Sequence, residues 1–110
     1  MIEKIKNHPE SIQFNEVIEY IDANYDFEPS AFKNGDTFNE SGQNNGSCKL
    51  FAFGLLNKLT QNETLTCFGD YYRKDVLGHP NASDHQNIRN FIKFGWGGVE
   101  FKDVALKLKN

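Results

Sequence analysis

Apolar positions along this chain change period several times, and each change marks an element. Phe14, Val17, Ile18, Ile21 and Tyr25 recur at the i, i+3, i+4, i+7 spacing of a helix with one buried stripe. Asn15 is placed to cap its start, and Glu16 and Glu19 suit the positive end of the helix dipole. Ile2 and Ile5 predict a shorter helical turn before Pro9. Between Ala31 and Phe38 the period drops to two, with Asn34-Gly35 in the middle. Both residues accept positive φ, so the segment predicts a hairpin turning at Asn34-Gly35. Asn39 to Gly46 holds no apolar residue and reads as a loop. Ser47 is the expected N-cap of a helix over Cys48–Leu59 that buries Leu50, Phe51, Phe53 and Leu56. Thr60-Gln61-Asn62-Glu63 forms a capping box ahead of a helix carrying Leu65, Phe68, Tyr71 and Tyr72. Gly78-His79-Pro80-Asn81 breaks the chain. Ser83-Asp84-His85-Gln86 predicts a second capping box, and a helix with Ile88, Phe91 and Ile92 inward closes at Gly95. Val99-Glu100-Phe101 alternates and adds a strand to the hairpin. The sum is an α+β fold, a mostly helical single domain over residues 1–110 with a small antiparallel sheet packed on one face.

Composition sharpens this picture. Ten Phe, four Tyr and one Trp among 110 residues supply the core volume and exclude a disordered chain. Net charge is −3, which argues against nucleic acid or an anionic membrane as partner. No apolar run approaches the roughly twenty residues that span a bilayer, and the first residues lack the apolar core of a signal peptide. A reduced, cytosolic setting is expected. Residues 1–46 carry three Lys and nine Asp/Glu, a charge of −6, whereas residues 47–110 carry nine Lys/Arg and six Asp/Glu, a charge of +3. The two halves are expected to attract each other across one core. Cys48 and Cys67 are too few for a disulfide scaffold and lack zinc spacing. No glycine-rich phosphate loop is present, so neither a metal nor a cofactor is expected.

Two polar stretches carry more side chains than capping requires. The first, Gln43 to Lys49, puts the Cys48 thiol in the first turn of a helix, where the dipole favours thiolate and Lys49 adds positive charge. His85 or His79 could serve as its base, and the Gln43 amide could help hold an oxyanion. The alternative is a small buried thiol. The second stretch puts His85 and Arg89 on one helix face, with Asp84 and Asn87 near each other, a row suited to an anion or carboxylate with Arg89 as the fork. Its alternative is capping plus a structural Arg89 ion pair. Tyr71-Tyr72-Arg73 offers stacking, with one Tyr inward. The combined candidate ligand surface is Asn44, Ser47, Lys49, Tyr72, Asp84, His85, Asn87 and Arg89.

Several long strings resemble one family. They are Ile21-Asp22-Ala23-Asn24-Tyr25-Asp26-Phe27, Gly42-Gln43-Asn44 with Gly46-Ser47-Cys48-Lys49-Leu50-Phe51-Ala52-Phe53, Cys67-Phe68-Gly69 with Tyr71-Tyr72-Arg73, and Asp84-His85-Gln86-Asn87-Ile88-Arg89-Asn90-Phe91. Together with Ala31-Phe32, Asn34-Gly35-Asp36 and His79-Pro80, they resemble the HopJ family of bacterial proteins over about Pro9 to Phe101. The resemblance implies a type III effector-like protein that starts in the bacterial cytoplasm and is exported to a host cell. It transfers no activity or catalytic residue. Three functional readings follow. The first is binding of a ligand or protein, a host protein if exported, through the polar surface. The second is a cysteine hydrolase or acyltransferase built on Cys48. The third is a housekeeping or stress protein that is not exported.

Overall fold

A computed structural model describes residues 1–109. Five α-helices and five short strands appear in the order α1 (Ile2–Asn7), α2 (Phe14–Asn24), β1 (Tyr25–Phe27), β2 (Phe32–Asn34), β3 (Thr37–Asn39), α3 (Asn45–Leu56), α4 (Gln61–Thr66), α5 (Gln86–Phe94), β4 (Val99–Phe101) and β5 (Leu106–Leu108). The period-3.6 stripe of α2 buries Val17 and Ile21 completely. Its N-cap is Gln13, so Asn15 lies inside the first turn and caps nothing.

The hairpin forms one residue later than its Asn-Gly signal suggests. Asn34 pairs with Thr37, so the turn residues are Gly35-Asp36, with Gly35 at φ +60°. Asn34 is therefore a strand residue on the same face as Phe32, pointing into the protein. β4 adds to the free side of β2, giving the order β3-β2-β4, and β1 pairs with β5. Glu28 N–H donates to Ala105 and Lys102 N–H to Ala31, which joins the two sheets into one bent ribbon. The bend is pinned at buried Ser30, whose hydroxyl oxygen accepts from Asp103 N–H.

The Thr60–Glu63 capping box forms in full, with Glu63 N–H donating to Thr60 Oγ1 at 3.1 Å and Thr60 N–H donating to Glu63 Oε1 at 2.8 Å. Thr60 N–H and the Lys6 ammonium hold the Glu63 carboxyl below the usual carboxylate range. The helix it opens was expected to reach Tyr72 but stops at Thr66. Gly69 turns at φ +60° against α2, where a Cβ would lie 2.7 Å from the Phe14 backbone nitrogen. The chain resumes as a π-helical turn, Tyr71–Val76. Its Arg73 guanidinium donates to the carbonyls of Pro9 and Ile12 and so fastens the N-terminal segment. The second capping box does not form, because α5 starts at Gln86 behind His85 at φ 51°. Gly95, at φ +63°, closes that helix as its sequence implies.

α3 runs through the centre. Leu50, Phe51 and Phe53 are fully buried, whereas Leu56, expected inward, is 53% exposed at its end. The Phe51 ring lies 5.0 Å from Phe91, 5.6 Å from Phe68, 5.9 Å from Phe32 and 6.3 Å from Trp96 by centroid. Among the described residues two ion pairs cross between the halves, Lys49–Asp22 at 2.8 Å in the expected sense and Lys6–Glu63 at 2.9 Å in the opposite one. Such partly exposed pairs contribute at most about 1 kcal/mol each. The ring cluster dominates, and Phe51→Ala should lower the unfolding free energy by about 3–5 kcal/mol, read from the urea midpoint at unchanged m-value.

Candidate functional site

The starts of α3 and α5 face the same cleft. α3 begins behind Asn44 at φ 52° and α5 behind His85 at φ 51°, and neither start is capped by a side chain. The first intrahelical bonds are Cys48 N–H to Asn44 and Arg89 N–H to His85. The N–H groups of the first turn in each helix therefore have no helical acceptor, and the positive end of each macrodipole lies there. Left-handed φ is uncommon outside glycine and is most tolerated by Asn, Asp and His, the residue types found at these two positions.

The cleft has a volume of about 450 Å³. One wall is Asn44, Gly46 and Ser47, and the other is His85, Gln86 and Asn87. Phe14, Phe68 and Tyr71 supply an aromatic side. Phe14 meets Tyr71 edge-on at 5.2 Å, and the His85 ring lies 5.3 Å from Tyr71. Gly46 is required by this packing, since a Cβ there would lie 2.8 Å from Phe14 Cζ. His85 Nε2 lies 3.1 Å from Asp75 Oδ2 on the π-helical turn and 3.8 Å from Asp84 Oδ2.

Behind the cleft, buried amides join the two walls. Asn39, 1% exposed, accepts at Oδ1 from Asn44 Nδ2 at 2.7 Å and from Asn87 Nδ2 at 3.0 Å. Its own Nδ2 donates to Asn87 Oδ1 at 3.1 Å. Asn34 Nδ2 donates to Asn87 Oδ1 at 3.0 Å and to the Asn87 carbonyl at 2.8 Å. Asn90 Nδ2 donates to the Asn34 carbonyl at 3.2 Å. Among the described residues, Asn34 Oδ1 is the one buried side-chain polar atom without a partner.

Of the residues singled out in the sequence, Asn44, Ser47, His85 and Asn87 meet at this cleft. The others do not line it. Lys49 reaches away to Asp22 and lies over the Phe27 ring. Tyr72 packs against the core, and its neighbour Tyr71 forms the wall instead. Arg89 folds back onto its own loop, donating to the Asp84 carbonyl at 2.6 Å, Asp84 Oδ1 at 2.7 Å and the Pro80 carbonyl at 3.3 Å. Its guanidinium holds the Asp84 carboxyl below the usual range. The expectation that His85 and Arg89 share a helix face fails because His85 precedes the helix.

Chemistry at Cys48 finds no support in this geometry. The thiol is 1% exposed and donates to the Ser30 carbonyl at 3.7 Å, so it helps pin the ribbon's bend. Burial pushes its pKa up, opposite to what a nucleophile needs. Cys67 is also buried, and its pKa is pushed up to about 12. Gln43 Oε1 accepts from Glu40 N–H within its own loop, and His79 is exposed on the turn after Val76. A second hollow of about 500 Å³ lies beside Ala52, Leu55, Leu56, Val104, Ala105 and Leu106. It is apolar, with Lys102 and Asp103 contributing its only charges. Among the described residues, no three His, Cys, Asp or Glu side chains are grouped to hold a metal ion, and no helix is long and apolar enough to cross a membrane.

Sequence could have pointed to the missing residues through alternation. Asn34 and Asn39 fall on strand positions facing inward, where an amide needs amide partners. Phe14 was read as part of the helix stripe and is also a cleft wall.

Comparison with known proteins places the chain in a wider group. Residues 1–106 match the family described as HopJ type III effector protein. A crystal structure of a protein of unknown function, VPA0580, is similar at 53% identity and a TM-score of 0.96, covering 97% of this chain and 89% of that one. No curated protein matches the chain.

Two measurements check the roles given to Arg89 and Cys48. Arg89→Ala should lower the melting temperature, because the 80–84 loop loses the guanidinium that ties its carbonyls and the Asp84 carboxylate to α5. An unchanged melting temperature would contradict a structural Arg89. Iodoacetamide at neutral pH should label Cys48 slowly in native protein and quickly after unfolding, and fast native labelling would restore the nucleophile reading.

Proposed function

The chain belongs to the HopJ family, and on that premise we propose that it acts by binding, holding a small polar ligand or a protruding side chain of a partner protein between the starts of α3 and α5. The observation that carries this reading is the convergence of two uncapped helix starts on one cleft with an aromatic side. Concave sites that combine a few directed polar groups with apolar walls are the usual form of ligand sites. Unpaired main-chain N–H groups and the Ser47 hydroxyl suit oxygen acceptors on the ligand. The Phe14 and Tyr71 rings suit a flat or apolar face. No reaction is required of the cleft, and the buried thiols contribute none.

Action as a type III effector is the finer part of this proposal, and the family's description is its support. Export would require the N-terminal segment to unfold. That segment buries Ile5 and Ile12 and is held by Arg73. The molecule in hand is thus the folded state before or after any transit.

Ligand screening tests the binding reading directly. A panel of small aromatic carboxylates, amides and sugars added to isotope-labelled protein should shift the backbone amides of Gly46, Ser47, Gln86 and Asn87. Tyr71→Ala should weaken those binders several-fold while the remaining spectrum stays native. Shifts confined to the apolar hollow at Leu55 and Val104, or binders indifferent to Tyr71, would overturn the proposal.

A further inference from the structure

Two Asn-Gly dipeptides occur in the chain, Asn34-Gly35 and Asn45-Gly46, and the fold treats them oppositely. Such a pair can cyclise without any enzyme. The glycine backbone nitrogen loses its proton and attacks the asparagine Cγ. A C–N bond forms, the side-chain nitrogen leaves as ammonia, and a succinimide results. Water then opens either carbonyl of the ring, giving aspartate or isoaspartate. The reaction needs a free glycine N–H, a side-chain amide free to turn, and access to water.

At Asn34-Gly35 all three are denied. Asn34 is 0% exposed, and its Nδ2 is bound to two oxygens of Asn87. Gly35 N–H donates to the Gly98 carbonyl at 2.9 Å. At Asn45-Gly46 none is denied. Asn45 is exposed, and its amide is hydrogen-bonded to no other described residue. Gly46 sits in the uncapped first turn of α3, ahead of the Cys48–Asn44 bond that begins the helix. Reaching the attack geometry requires that turn to fray, a local opening far cheaper than opening a sheet. The Phe14 ring also keeps position 46 a glycine, since a Cβ there would lie 2.8 Å from Phe14 Cζ.

We propose that Asn45 is a site of spontaneous deamidation and that Asn34 is protected from it. Conversion sets a carboxylate at the first position of α3, on the rim of the cleft. Aspartate there suits the helix dipole and keeps the fold, whereas isoaspartate lengthens the backbone by one carbon and unwinds the first turn; either product gains a negative charge. Any effect of that charge on ligand capture rests on the binding reading above; the chemistry does not.

Full-length protein held in mildly alkaline buffer, with and without urea, and mapped by peptide mass spectrometry decides the matter. In native protein, conversion at residue 45 should run about tenfold or more ahead of residue 34, because the latter reacts only when the sheet opens. In urea the two rates should converge, and in native protein Asn45→Gln should remove the early acidic isoform. If residue 45 stays intact until urea is added, if residue 34 keeps pace with it in native protein, or if that isoform forms as fast in native Asn45→Gln, the proposal is wrong. Loss of ligand binding would leave this readout untouched, so the two readings fail separately.

Discussion

The hydrogen bonds of one buried amide, Asn39, hold the architecture around the cleft in register. A side-chain amide out of water costs free energy unless its donors and acceptor are used. The inner face of the hairpin carries two of them, Asn34 and Asn39, where apolar residues would have packed without such demands. Their partners come from the starts of two different helices. Asn44 and Asn87 both donate to Asn39 Oδ1, so the hairpin, α3 and α5 cannot slide past one another without stranding polar groups. Each such bond contributes on the order of 1 kcal/mol, but a stranded buried partner costs about 1–3 kcal/mol, and that asymmetry fixes the arrangement. The cleft is what remains between two helix starts held apart by this network.

Phe14 sets the opposite side. Its ring occupies the space above Gly46, and its backbone nitrogen lies where a side chain on Gly69 would point. Two glycines, one on each flank, thus let α2 begin between α3 and the π-helical turn. That contact ends the α4 helical pattern early, and it brings Tyr71 edge-on to Phe14 and beside His85. The aromatic side of the cleft is a consequence of backbone close approach, which is why it was hard to anticipate from side-chain periodicity.

Local signals were legible in the sequence, and registers set by distant partners were not. The α2 stripe, the Thr60 capping box and the Gly95 stop depend on neighbours within a few residues, and the alternation of Val99–Phe101 is read locally although its partner β2 is distant. The hairpin turns one position later, at Gly35-Asp36, while the Asn34 amide reaches inward to Asn87. α3 begins at Asn45 instead of behind a Ser47 cap because Asn44 turns left-handed and gives its amide to Asn39. The two polar stretches do approach each other, through Asn44 and Ser47 on one side and His85 and Asn87 on the other. Lys49, Asp84 and Arg89 stand out in the sequence by charge, and charge is the poorer guide. Each found a nearer partner, Asp22 for Lys49 and the 80–84 loop for Arg89.

That dispersal of charge bears on what the cleft can discriminate. Lys49 and Arg89 are committed elsewhere, and Arg73 is spent on the carbonyls of Pro9 and Ile12. Among the described residues, no lysine, arginine, aspartate or glutamate lines the walls. The field inside comes from two helix dipoles and oriented amides, which act within a turn's length and are fixed in direction. A mobile lysine would attract any anion from a distance and yield to salt. Fixed N–H groups reward an acceptor only where they point. On the binding reading, selectivity at this cleft therefore resides in the placement of hydrogen-bond acceptors around a flat face, and the net charge of the protein has little part in it.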